Sequence, residues 1–226
     1  IAVGVLDDRH ELSARFRLAV HLLVGLGLGC WAGVRLDALG TLFSSGPIVL
    51  GWAAVPVTMF AVAAAKNSLN MVDGVDGLAG VLSALPVVVV LYFAALAGHP
   101  MLVPLALALI GGLLVFLALN FPFPWRAQAT CFLGDTGSTL LGLMVAWLLI
   151  QGAQDQLFRP VLALYLVAIP LIDTAGVMLR RVLRGVSMST PGRDHLHHVF
   201  IDAGMSPRHA MYLIVSIAVL VACTGM

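Results

Sequence analysis

Apolar positions in this chain come in long unbroken runs, not in the one-sided stripes of a surface helix. The runs fall at about 17–34, 46–65, 78–97, 101–119, 134–150, 160–179 and 209–226, and most approach the roughly 20 residues that carry a helix through a bilayer. Glycine and proline are scattered inside them, which suits helices packed among helices, and the alternation of a membrane barrel is absent. The pattern predicts an all-α polytopic membrane protein with about seven transmembrane helices, that over 134–150 being the shortest.

Orientation follows from the segments between the runs. If the Asp7 side is cytoplasmic, that side collects Arg9, Arg15, Arg17, Lys66, Arg126, Arg180, Arg181, Arg184, Arg193 and Arg208, against Arg35 and Arg159 opposite. Cytoplasmic loops hold the excess of Lys and Arg, so this bias supports both the orientation and the span count. The polar motifs sort the same way. LDDRHELSARFR (6–17), KNSLNMVDGVDG (66–77), NFPFPWRAQATCFLGDTGS (120–138) and RRVLRGVSMSTPGRDHLHH (180–198) share one face, and the opposite segments are short and hold no comparable cluster.

Composition agrees: 61% of residues are hydrophobic and 10% charged, against roughly 45–50% apolar in soluble domains. A net charge of +1 gives no basis for nucleic-acid binding. Cys30, Cys131 and Cys223 lie far apart with no metal-type spacing and read as packing residues. The chain opens without a leader pattern, on a short apolar run that reaches two aspartates within seven residues. The expectation is a piece of a larger protein whose first membrane helices are missing, with residues 1–226 forming one integral membrane domain.

The polar motifs suggest chemistry. Asp7 and Asp8 offer hard oxygen ligands for Mg²⁺ or a general base, although neighbours on a helix point about 100° apart. Asp73 and Asp76, three apart, share a face if that stretch is helical, and Gly74 and Gly77 after them let backbone or ligand approach. Carboxylates at membrane depth are costly and default to functional candidates. Asp135, between Gly134 and Gly137, opens an apolar helix; Ser138 or Thr136 could simply cap it, or its free N–H groups could receive a metal-bound pyrophosphate. His195, His197 and His198 lack the spacing of a zinc protease; near Arg180, Arg181 and Arg184 they read as an anion site or as a basic loop at lipid headgroups. Carboxylates for a divalent cation, a basic loop for phosphates and a surrounding membrane together point to phosphoryl transfer with a lipid partner.

LDDRHELSARFRL, NMVDGVDGLAG, FLGDTGSTLLG and PGRDHLHHVFIDAGMS, in that order over essentially the whole chain, resemble the polyprenyl-phosphate N-acetylhexosamine-1-phosphate transferases. The likeness is to the WecA branch more than to the MraY branch, whose substrate carries a peptide. The resemblance implies a membrane enzyme of about ten or eleven helices in a bacterial inner membrane, its active site on the cytoplasmic face. It implies transfer of an N-acetylhexosamine 1-phosphate, GlcNAc first among them, from a UDP-sugar to undecaprenyl phosphate with release of UMP, initiating a cell-surface polysaccharide such as O-antigen. Mg²⁺, or Mn²⁺ in its place, is the implied cofactor. Asp135 is implied as principal metal ligand, with Asn70 and one of Asp7 or Asp8, Asp8 first, near the ion. Asp73 and Asp76 are implied to face the nucleotide, Phe132 to stack on uracil, and Asn120 to be a weaker candidate for the uracil edge. His195, His197 and His198, with Arg181 or Arg184, are implied to hold the sugar pyrophosphate. Asp7 or Asp8 would align or deprotonate the prenyl phosphate, whose oxygen attacks the β-phosphorus; direct displacement and an aspartyl intermediate are equally compatible. A homodimer is compatible with the family.

Two other readings are weighed. A transporter or channel also uses intramembrane acids and glycine-broken helices, but predicts charged groups at several depths and on both sides. A phosphotransferase acting on CDP-linked alcohols would need Ala-Arg after its first Asp-Gly, and Asp73-Gly74 is followed by Val-Asp-Gly-Leu.

Overall fold

The computed structural model describes residues 1–226 apart from 11, 42–45, 124, 126–128 and 188–193; Arg126 and Arg193, counted above for orientation, fall outside the described residues. Apart from one isolated antiparallel bridge between Ala38 and Val49, the regular structure of the described residues is helical: α1 (Ala2–His10), α2 (Ala14–Cys30), a 3-10 turn (Gly51–Ala53), α3 (Ala54–Val72), α4 (Leu78–Leu96), α5 (Leu102–Asn120), α6 (Gly134–Gln154), α7 (Pro160–Leu166), α8 (Ala168–Leu183), α9 (Leu196–Asp202) and α10 (Pro207–Gly225). Local signals set several starts. Ser13 accepts from the Phe16 N–H at the head of α2, and Ser206 accepts from the His209 N–H at the head of α10, where Pro207 takes the first turn.

Among the described residues, fewer helices than the seven expected are long and apolar enough to cross a membrane: α4, α5, α6 and α10, with α7 and α8 together as a fifth, bent by 70°. The run at 17–34 becomes α2, of 17 residues, whose first turns hold Arg15 and Arg17. The run at 46–65 becomes α3, which continues through Lys66, Asn67, Ser68 and Asn70 and so ends in polar residues. The 134–150 run, expected to be the shortest span, is the longest helix, because α6 begins with the polar residues Asp135 to Ser138 and extends to Gln154. The 160–179 run breaks at Val167; Pro170, one turn on, has no N–H to return to a carbonyl of the preceding turn.

α3 sits at the centre, against α2, α6 and α8. Small residues bring the backbones together: a Cβ on Gly25 of α2 would lie 2.6 Å from Met59 Cα, and one on Gly142 of α6 would lie 2.5 Å from Lys66 Cα. The main core lies between α3, α4, α6 and α10, where Leu69, Leu78, Val87, Val90, Leu148, Met211 and Ile214 are fully buried. α5 is apolar all round yet only 17% buried, leaving Leu107, Leu114 and Val115 outward, as a lipid-facing helix does.

Candidate active site

The packing carries polar groups from four sequence-distant segments to one end of the bundle. Asp7 and Asp8 on α1 diverge, as adjacent helical positions must. Asp7 is buried; one carboxylate oxygen accepts from Arg17 Nη1 at 3.0 Å and the other from the Leu12 N–H at 2.8 Å. Asp8 reaches α6 instead, where its carboxylate accepts from the N–H of Asp135 at 2.7 Å, the N–H of Thr136 at 3.2 Å and the Thr136 hydroxyl at 2.6 Å. Those bonds, the hydroxyl first, hold its carboxyl below the usual range. The cap of α6 is therefore supplied by α1, neither by Ser138 nor by Thr136 of its own chain segment, and Asp8 occupies N–H groups that the sequence left open for a pyrophosphate.

Asp135, in the first turn of α6, accepts from Asn70 Nδ2 at 2.6 Å, and the same amide nitrogen donates to Ser138 Oγ at 2.9 Å. Arg17 Nη1 lies 3.8 Å from the Asp135 carboxylate, so one guanidinium stands between Asp7 and Asp135. Arg17 was read in the sequence only as a loop charge. The signal for its role was weak, since nothing in SARFR says which arginine turns inward.

Asp73 and Asp76 lie in the turn between α3 and α4, not along a helix face; Gly77, at φ 81°, takes the left-handed conformation that ends the turn. The turn still keeps the acids together. Burial pushes Asp73 up to about 7, with the charges of Asp135 and Asp76 adding to the effect. Asp76 accepts from the Ala129 N–H at 3.3 Å. Asn120, expected at the uracil edge, is buried and engaged at both ends of its amide, accepting from the Gly77 N–H at 2.7 Å and donating to the Cys131 carbonyl at 2.7 Å. That geometry ties the acidic turn to the segment before α6. Phe132, on that segment, is 76% exposed and available for stacking.

His195 precedes α9, and His197 and His198 fall in its first turn rather than in a loop. His195 and His197 rings stack parallel at 5.9 Å, and the His197 ring presses on Gly74, where a Cβ would collide with Nε2. This contact joins the histidine segment to the acidic turn. Burial, then the charges of His198 and His195, lowers His197 to about 4, so it is a neutral ring at physiological pH. Arg181 is buried and Arg184 exposed, and both approach the Asp194 carboxylate, at 3.9 and 3.8 Å. Arg180 Nη2 donates to the Asp194 carbonyl at 2.6 Å. The arginines of α8 thus anchor the histidine segment. Sequence reasoning passed over Asp173, a buried acid of α8 bonded to His195 Nδ1 at 2.9 Å. Its signal was available: it is the single charge inside the apolar run 160–179.

Among the described residues no three His, Cys, Asp or Glu converge to hold a metal ion unaided. The donors nonetheless fit Mg²⁺. Asp8, Asp135 and Asn70 offer oxygens within one cluster, Asp73 and Asp76 add negative field, and Mg²⁺ ordinarily binds one or two carboxylates together with waters and substrate phosphates. One cavity adjoins the acidic turn and another lies further along the helices, away from Asp8, Asn70 and Asp135. The first, of about 560 Å³, runs from Gly74 and Asp76 to Arg208 and His209, and the second, an apolar groove of about 290 Å³, runs along α3, α6, α7 and α8 past Phe60, Ala64, Leu149, Leu164 and Leu171.

The chain is similar along its whole length to curated bacterial proteins. It is 39% identical to the undecaprenyl-phosphate alpha-N-acetylglucosaminyl 1-phosphate transferase of Yersinia pestis, covering 62% of that protein. It is 37% identical to the protein of the same name from Escherichia coli (strain K12), again covering 62%, and 34% identical to that of Haemophilus influenzae, covering 64%. It therefore spans somewhat under two thirds of the length of these relatives. The family model that matches covers residues 1–153, from α1 to the last turn of α6, and includes Asp7, Asp8, Asn70, Asp73, Asp76 and Asp135. With that match over most of the chain, the protein belongs to glycosyl transferase family 4.

Proposed function

We propose that this chain is the catalytic part of a membrane transferase that moves N-acetylglucosamine 1-phosphate from UDP-N-acetylglucosamine to undecaprenyl phosphate, releasing UMP. The observation that carries the proposal is the convergence of Asp8 from α1, Asn70 from α3 and Asp135 from α6 in one bonded cluster beside the half-buried acid Asp73. The names of the relatives carry the same acceptor, undecaprenyl phosphate, and the same transferred group, N-acetylglucosaminyl 1-phosphate.

In this reading Asp135, Asn70 and Asp8 would hold Mg²⁺, or Mn²⁺ in its place, whose chemistry is to neutralise the diphosphate as charge shifts to the leaving UMP. Asp7 and Arg17 fix the position of Asp135 from behind. Asp73 and Asp76 present their carboxyls to the nucleotide, and Phe132 stacks on the uracil. His195 and His198, with the arginines of α8 around Asp194, face the sugar diphosphate, and buried His197 spaces them from Gly74. The apolar groove suits a prenyl chain lying in the bilayer. The basic segments, grouped at the site's end, support a location on the cytoplasmic face of the inner membrane, where the product would initiate a surface polysaccharide.

The test uses membranes holding the full-length protein, undecaprenyl phosphate and a panel of UDP-sugars. The expected result is UMP and a lipid-linked sugar phosphate from UDP-N-acetylglucosamine. No turnover with any donor would sink the proposal.

A further inference from the structure

We propose that Asp173 is a positioning residue for this reaction: it clamps Nδ1 of His195 and so commits Nε2 of that ring to the bound diphosphate. The inference rests on the function proposed above and goes beyond it by assigning a residue outside the acidic motifs and outside the histidine segment.

Asp173 lies on α8 with Val177 and Arg181 one and two turns further on, a stripe that is buried along its length. An ionised carboxyl so enclosed needs partners for both oxygens. It has them, and both come from one short segment: His195 Nδ1 stands 2.9 Å from Oδ2, and the Leu196 N–H donates to Oδ1 at 2.8 Å. A carboxylate only accepts, so the hydrogen of this bond is on Nδ1. The second bond, from the main chain of the very next residue, fixes where the ring is attached as well as how it turns. A partner on one ring nitrogen sets the role left to the other. Nε2 has no protein partner among the described residues, and it is not one of the sealed polar atoms. The stacked ring of His197 and the contact of that ring with Gly74 direct the row from Asp173 toward the acidic turn.

Among the described residues the charged and titratable groups around His195 are few. α8 contributes Asp173, together with Arg180, Arg181 and Arg184 gathered on Asp194; α9 contributes His197 and His198; Asp73 and Asp76 lie beyond His197 in the α3–α4 turn. Among the described residues Asp173 is the one bonded to the ring, and it is 4% exposed at its side chain, too enclosed to meet substrate itself.

The experiment compares Asp173→Asn, Asp173→Glu, His195→Ala and the double variant Asp173→Asn/His195→Ala in the full-length protein. It follows KM and kcat for UDP-N-acetylglucosamine, thermal unfolding, and the ¹⁵N signals of labelled histidine. Asp173→Asn is expected to raise KM about 10- to 100-fold, the usual cost of losing such a partner. Asp173→Glu, which keeps the carboxylate, is expected to recover part of that loss. In the His195→Ala background Asp173→Asn should cost nothing more, because its effect passes through the ring. The Nδ1–H signal of His195 should be present in the wild type and altered in Asp173→Asn. Wild-type KM in Asp173→Asn, or a full additional loss in the double variant, would overturn the assignment. A wild type with no turnover refutes the proposed function instead, and the ¹⁵N signals then decide the clamp independently.

Discussion

Asp73 gives the sharpest test of the site's electrostatics. Its carboxyl, pushed up to about 7 from 3.8 by burial and by the charges of Asp135 and Asp76, binds a proton roughly a thousand-fold more tightly folded than unfolded. A raised folded value means a contribution to stability that is fully present below about 3.8 and is lost as pH rises through 7. At about 1.4 kcal/mol per tenfold, the loss approaches about 4 kcal/mol by pH 8, with less than half of it incurred at pH 5. Asp73→Asn keeps the shape and removes the ionisation. Thermal unfolding of the purified full-length protein should show the variant more stable than wild type at pH 8, by several degrees, with a clearly smaller gain at pH 5. Added Mg²⁺ at pH 8 should narrow the gap by stabilising the wild type, whose acidic cluster it neutralises. An equal gain at both pH values, or none at pH 8, would refute the account of a crowded, half-buried acid.

Three further outcomes follow from the packing. Gly74→Ala places a methyl against the His197 ring; activity should fall at least about tenfold through KM, with unfolding temperature within a few degrees of wild type. Gly142→Val forces α6 away from Lys66 of α3, and a loss of about 1–3 kcal/mol in unfolding stability, read by thermal or denaturant unfolding, is expected from the overpacking. Asn120→Ala removes the acceptor for the Gly77 N–H and the donor to Cys131; a stability loss of about 1–3 kcal/mol is expected, together with faster amide exchange at Gly77.

The sequence made the helical class, the membrane character and the acidic motifs legible because apolar runs and isolated carboxylates at their ends are signals in one dimension. The number of spans was less legible. Hydropathy does not register that α3 keeps turning through Lys66 and Asn70, or that Pro170 splits a continuous apolar run into α7 and α8. Partners were the least legible. Asp7 and Asp8 are neighbours, yet one is fixed by Arg17 and the other caps α6, 127 positions away. Asn120 looked free for a base and is bound by main chain at both ends, and Asp173 passed unnoticed until α9 folded onto it. Such pairings depend on which helices the packing sets side by side, and spacing along the chain does not encode that.

The central claim concerns which bond breaks, and one measurement reads it. Membranes with the full-length protein or its Asp135→Asn variant receive UDP-N-acetylglucosamine and undecaprenyl phosphate with and without Mg²⁺, and the released nucleotide is identified and counted against lipid-linked sugar. The account predicts UMP, one per lipid product, formed only with the divalent cation and reduced by roughly 100-fold or more in Asp135→Asn. Release of UDP in place of UMP, or an Asp135→Asn variant that turns over at the wild-type rate, would contradict it.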